Sequence, residues 1–249
     1  MSTEVPLVRR LVQVTCAITW CLLAAGPVFG FAALKPILIR EGVYADRCSS
    51  TKVGVLGDQN PTNGDSVLSF GQSLHKGPFY ASSSSPCTDQ DLLLNFMFTM
   101  AAVITNVAAL PVGSILDTYG PRVCGLIGSV LIFVASLLLK SGKFFASSEK
   151  WGWFDAYLVG YTILALGGPF VFISSFQLAN SFPKNSGLIL ALLTGAFDSS
   201  LALFLFYRLF YTQVHKLSLN TFFSWYLVVP VFIFVSQIFI MPRDSYKTM

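Results

Sequence analysis

Charge is what this sequence has least of. Asp, Glu, Lys and Arg make up 11% of its 249 residues, where soluble domains carry roughly 25%. A chain of this size cannot cover a water-exposed surface with so few charges, which excludes an ordinary soluble fold. Histidine is also scarce: His75 and His215 are the two present, and neither is accompanied by a nucleophile. There is no CxxC pair, no Cys/His cluster and no glycine-rich phosphate loop ahead of a helix. The sequence therefore offers no metal site, no cofactor motif and no enzymatic constellation. The net charge of +4 is scattered, so nothing points to nucleic acid as a partner.

What is there is apolar. Hydrophobic residues make up 54% of the chain and aromatics 14%, and the mean hydropathy is +0.66. Six stretches are long enough to cross a bilayer, which takes about 20 residues as a helix: 11–37, 92–116, 123–140, 156–182, 187–207 and 217–241. Backbone groups in hydrocarbon must be bonded within the segment, so these runs are expected to be helices. The expectation is an all-α membrane protein with six transmembrane helices and lipid as its solvent. Arg9 and Arg10 precede the first run, which is too long for the 7–15-residue core of a cleaved leader.

The polar stretch 38–91 is rich in Gly, Ser, Asp and Asn and shows no sustained period, so it reads as a loop. Cys48 and Cys87 flank it. Their pairing would close the loop and requires an oxidising compartment, outside the cell or in a lumen. Cys16, Cys21 and Cys124 lie within apolar runs and read as small buried hydrophobes. With residues 1–10 and 242–249 cytoplasmic, the inside carries Arg9, Arg10, Arg122, Lys184, Arg243 and Lys247. The short outer loops then carry Lys140, Lys143, Lys150, Arg208 and Lys216. That balance is too even to orient the chain by charge alone.

The second run ends in Gly113-Ser-Ile-Leu-Asp117-Thr-Tyr-Gly120-Pro121-Arg122 and the third follows at once. Gly120 permits a turn with positive φ, Pro121 suits the first turn of the next helix, and Asp117 and Arg122 can pair at the interface. The first run carries Gly26-Pro27-Val28-Phe29 and the fourth Gly168-Pro169-Phe170-Val171-Phe172. Glycine–proline interruptions at equivalent positions of two repeats point to a binding site near the bilayer midplane. Both helices are expected to break or bend there.

Asp198 is the charged residue well inside a run, where it calls for a partner or for water. A substrate contact, a proton-coupling carboxylate, an ion pair with another bundle, and a carboxyl bonded beside Ser199 and Ser200 all remain open. Asn106 and Gln177 are uncharged polar groups at membrane depth, suited to interhelical hydrogen bonds or to a cavity wall. Tyr161, Thr162, Ser174 and Ser175 offer further polar lining. Trp20, Trp151, Trp153 and Trp225 mostly lie near run ends, as an aromatic belt would. Small residues recur every fourth position as Ala101, Thr105, Ala109 and Gly113, and again as Gly187, Ala191, Gly195 and Ser199. Such stripes let helices approach closely.

The spacing of Gly113, Asp117, Gly120 and Arg122 resembles the cytoplasmic loop signature of the major facilitator superfamily. Thr118 and Pro121 stand where many members carry basic residues. The Asp-x-x-Gly-Pro-Arg variant is similar to the branch holding solute carrier family 43, the system-L-type amino-acid transporters, and the wider text to fungal proteins of that branch. The stretches carrying this are 24–31, 94–98, 167–177 and 186–192. The resemblance implies the N-terminal half of a twelve-helix major-facilitator fold, built as two three-helix inverted repeats. It further implies alternating-access transport of a small organic solute, with neutral amino acids as the first expectation. Gly113, Asp117, Gly120 and Arg122 would then form the gate motif of the cytoplasmic side, with 117–122 as its loop, and 242–249 would begin the central cytoplasmic loop. The partner would be a missing C-terminal half or a second copy of the chain. A non-transporting six-helix scaffold or regulatory half-transporter is the competing expectation.

Overall fold

The computed structural model describes residues 6–48, 87–146, 154–213 and 217–241. Among these every regular element is helical. Helix α1 (Leu7–Trp20) widens into a π turn, Cys21–Ala25, then tightens into a 3₁₀ turn, Pro27–Gly30, before α2 (Phe31–Arg40). Next come α3 (Thr88–Ala146) and α4 (Ala156–Phe176), the latter extended by the 3₁₀ turn Gln177–Ser181. These are followed by α5 (Ser186–Ser199), α6 (Ala202–Gln213), α7 (Leu219–Tyr226) and α8 (Val228–Phe239). Among the described residues five stretches are long and apolar enough to cross a membrane: Leu7–Ala25, Thr88–Ala146, Ala156–Ser181, Pro183–Gln213 and Leu219–Phe239.

Thr88–Ala146 is far longer than one crossing, and one residue divides it. Gly120 has φ 83° and ψ 170°, a conformation that favours glycine, and Pro121 starts the next helical turn. Contacts with α4 give the direction of each arm. In the arm 121–146, Gly128 lies against Val171, Ile132 against Gly167, Leu139 against Gly160 and Gly142 against Tyr157. Rising numbers on one side meet falling numbers on the other, so this arm is antiparallel to α4. In the arm 88–119, Phe98 stacks on Phe31, which meets Tyr161, while Thr105 bonds Ala165. Those numbers rise together. The two arms therefore run opposite ways, and α3 is a hairpin folded at Gly120.

Helix α4 sits between the arms and is the most buried of the five apolar stretches. Its glycines explain the fit. Gly160, Gly167 and Gly168 each have a neighbour where a side chain would begin, so helices close to backbone distance along this seam.

The two ends of the bundle are tied by polar groups. At one end Cys48 is bonded to Cys87 with their Cα atoms 5.8 Å apart. There Lys35 pairs with Asp91 at 2.7 Å, Glu41 with Lys143, and Tyr44 donates to Asp155 at 2.6 Å. Burial, reinforced by the Asp155 carboxylate, holds the Tyr44 phenol far above the usual tyrosine range. At the other end Arg10 donates to the Ser181 carbonyl, Gln13 to Ile240 and Arg122 to Met241. Trp20 is fully buried, with Nε1 donating to Ser175 Oγ at 2.8 Å, and is not a belt residue. Trp225 is 75% exposed, while Trp151, Trp153, both histidines and most of the 38–91 loop lie outside the described residues.

Candidate functional site

The candidate site grows from a backbone problem. Proline has no N–H, so within a helix it leaves the carbonyl four residues earlier without a donor. In hydrocarbon that carbonyl needs another partner. For Pro27 it is Leu23, and the hydroxyl of Tyr226 in α7 donates to it at 3.0 Å. For Pro169 it is Ala165. Thr105 Oγ1 shares its proton between that carbonyl, at 3.2 Å, and Ala101 of its own helix, at 2.9 Å. Each glycine–proline pair is thus matched to a hydroxyl on a different helix.

The two pairs nevertheless behave differently. At Gly26 (φ −134°, ψ 19°) the first run leaves helical geometry, and the Val28 carbonyl beyond it accepts from Tyr161 Oη at 2.7 Å. Helix α4 continues through Gly168 and Pro169 without a break, one of the two outcomes expected there. Thr105 restores the lost bond in place. What Gly168 provides is close approach: a Cβ on it would lie 2.3 Å from the Ala25 carbonyl oxygen. The broken part of the first run is therefore seated directly on the unbroken fourth.

A second interruption, at Ser200–Leu201 between α5 and α6, has no proline to mark it. Ser199 Oγ donates to Gly195 O at 2.7 Å and Ser200 Oγ to Phe197 O at 2.5 Å. Adjacent serines bonding back to their own helix carbonyls bend it. This bend also packs on the first run, since a Cβ on Gly26 would meet Ser200 Oγ at 2.7 Å and one on Gly30 the Leu201 carbonyl oxygen at 2.5 Å. The Ser199–Ser200 pair is the signal in the sequence that could have located it.

Three half-buried rings meet where these elements converge. Phe197 stacks on Phe172 with centroids 4.4 Å apart and meets Phe29 edge-on at 6.1 Å, and Phe172 also meets Phe176 at 4.6 Å. The structure thus brings together Gly26, Pro27, Phe29, Gly168, Pro169 and Phe172, and adds Phe197, Ser200 and Tyr161. Such a junction can offer aromatic faces and irregular backbone to a small amphipathic molecule.

The other predicted residues are exposed or bond within their own segment. Asn106 is exposed and donates to Ala102 of its own helix at 2.8 Å. Gln177 begins the 3₁₀ turn after α4, with its amide oxygen accepting from Asn180 Nδ2 at 3.4 Å. Asp198 is exposed, and neither Ser199 nor Ser200 bonds to it. Ser174 and Ser175 each donate to the Val171 carbonyl.

In the turn of the α3 hairpin, Asp117 is exposed and forms no ion pair with Arg122 among the described residues. Arg122 instead donates from Nη2 at 2.6 Å and Nε at 3.2 Å to the Met241 carbonyl, just past the end of α8. A cation is favoured at a helix C-terminus, where unpaired carbonyls gather partial negative charge. Gly113 leaves open space around it.

Comparison with known proteins places the chain near transporters. It is 53% identical over 240 residues to Protein FMP42 of Saccharomyces cerevisiae. It is 26% identical over 204 residues to the bovine equilibrative nucleobase transporter 1, and 26% identical over 203 residues to the human large neutral amino acids transporter small subunit 3. These alignments cover 96%, 82% and 82% of this chain but 41%, 36% and 32% of the relatives. The chain therefore spans about two fifths or less of the length of the proteins it matches. No family model and no solved structure matches it. The latter two relatives are named as transporters, not enzymes, and with five apolar helices this chain is an integral, multi-pass membrane protein.

Proposed function

We propose that this chain is the N-terminal six-helix half of a major-facilitator transporter, of the branch that resembles solute carrier family 43. On this reading it helps to carry a small organic solute across the membrane by alternating access. The α3 hairpin supports six crossings, since each arm is long enough to span and the two run in opposite directions. The observation that carries the functional reading is the convergence of two interrupted runs, at Gly26–Pro27 and Ser200–Leu201, on the glycine–proline face of α4. Interrupted helices meeting at membrane depth are how many secondary transporters build a substrate site.

Phe29, Phe172 and Phe197 form the wall of that site in this reading, with Asp198 and Asn106 on the open faces of α5 and α3. Those faces pack against a C-terminal half or a second copy. Residues 113–122 act as the cytoplasmic gate, and the Cys48–Cys87 end faces the oxidising side. Neutral amino acids are the first substrate class, supported by the human relative. A nucleobase is the second, supported at equal identity by the bovine one. The test is uptake of labelled leucine and of labelled adenine by the full gene product reconstituted in proteoliposomes. Saturable uptake of one supports the transporter reading and selects the class. Uptake of neither, by protein shown to be folded and inserted, favours the scaffold or regulatory reading.

A further inference from the structure

The disulfide end of the bundle holds a cavity of about 390 Å³ that the proposed transport route does not use. Lys140, Ser141, Lys143 and Phe144 line it from the end of α3, Tyr157 from α4, and Asn220 from the start of α7. Its charge is unbalanced. Lys143 is paired with Glu41, whereas half-buried Lys140 has no hydrogen bond or ion pair among the described residues. An ammonium partly withdrawn from water and left unpaired gains from an anion placed beside it.

The surface leading to the cavity is apolar. Val130, Phe133, Val134 and Leu137 are all exposed, and their spacing places them on one face of the α3 arm, a face that continues to Ser141 and Phe144. An oily stripe about two turns long, ending in a cation with a hydroxyl and an amide beside it, matches a molecule with an acyl chain and an anionic head. We propose that this is a phospholipid site, with the phosphodiester at Lys140 and Ser141 and one acyl chain along Val130–Leu137. The exposed Phe144 ring carries the apolar face up to the cavity.

The experiment uses the full chain in detergent, stripped of lipid, with binding read by native mass spectrometry and by thermal unfolding. The probes are dioctanoyl phosphatidylglycerol, dioctanoylglycerol and inorganic phosphate. The phospholipid is expected to bind saturably, at least about tenfold more tightly than either other probe, because only it engages both the cation and the stripe. Lys140→Ala should weaken it by about tenfold and Lys140→Arg should retain it. Equal binding of dioctanoylglycerol would leave an oily contact without a phosphate site and overturn the proposal. Inorganic phosphate binding as tightly as the lipid would identify a soluble-anion site and overturn it as well. These comparisons need only the unmodified protein, so they decide the matter whether or not the variants fold.

Discussion

Two sets of glycines in this chain sit in opposite surroundings. Where the second arm of α3 packs on α4 and α8, and α4 on the first run, Gly125, Gly128, Gly142, Gly160, Gly167 and Gly168 each have a neighbour where a side chain would start. The distances run from 2.3 Å for Gly125 and Gly168 to 3.1 Å for Gly160. On the first arm of α3 and on α5, Gly113, Gly187 and Gly195 have nothing within 4 Å. The same residue type closes helices together in one region and leaves a smooth, uncovered face in the other. The closed set accounts for the bundle. The open set, accompanied by exposed Ala191, Ser199 and Asp198, is the face we assign to another six-helix unit.

Four substitutions sharpen or break that contrast, taken in order of their effect on folding. Gly168→Val should be the most damaging. Its side chain would be driven into the Ala25 carbonyl, and overpacking of this kind costs about 1–3 kcal/mol or more; the check is recovery of folded, monodisperse protein in detergent. Tyr226→Phe should cost about 1 kcal/mol by leaving the Leu23 carbonyl without a donor, read as a lower unfolding temperature. A stability unchanged in that variant would mean the proline orphan finds another partner.

Gly195→Val should leave stability within about 0.5 kcal/mol, as expected where nothing is touched, yet reduce uptake by the full product. Lost folding there would show that the α5 face is packed within this bundle. Asp117→Ala should leave folding unaffected and slow cycling more than substrate binding, measured as a fall in uptake rate at near-constant binding affinity. Full uptake in that variant would remove Asp117 from the gate.

Sequence reasoning reached the broad layout because bilayer thickness and backbone hydrogen bonding leave few options for long apolar runs. It reached the α3 turn because Gly120 permits a positive φ and Pro121 suits the first turn of the helix that follows. It failed where long-range partners decide the outcome. Pro169 should interrupt α4 by local rules, but Thr105, 64 positions earlier in the chain, supplies a proton to Ala165 and the helix runs on. Trp20 reads as a belt residue until Ser175 is seen to accept its N–H in the core. Phe197 carried no mark of its own, because its role comes from Phe29 and Phe172, which reach it through two other elements. Arg122 lies near Asp117 in sequence, but the end of α8 lies within its reach and offers concentrated carbonyl charge.

The central claim is that solute binds where the two interrupted runs meet α4. The direct measurement is thiol labelling of a Phe197→Cys variant of the full gene product. It is made in membranes, with and without saturating amounts of the solute whose uptake the protein supports. The account predicts that solute slows labelling at this position while a cysteine at exposed Leu188 labels at an unchanged rate. Equal labelling of Phe197→Cys with and without solute would contradict it.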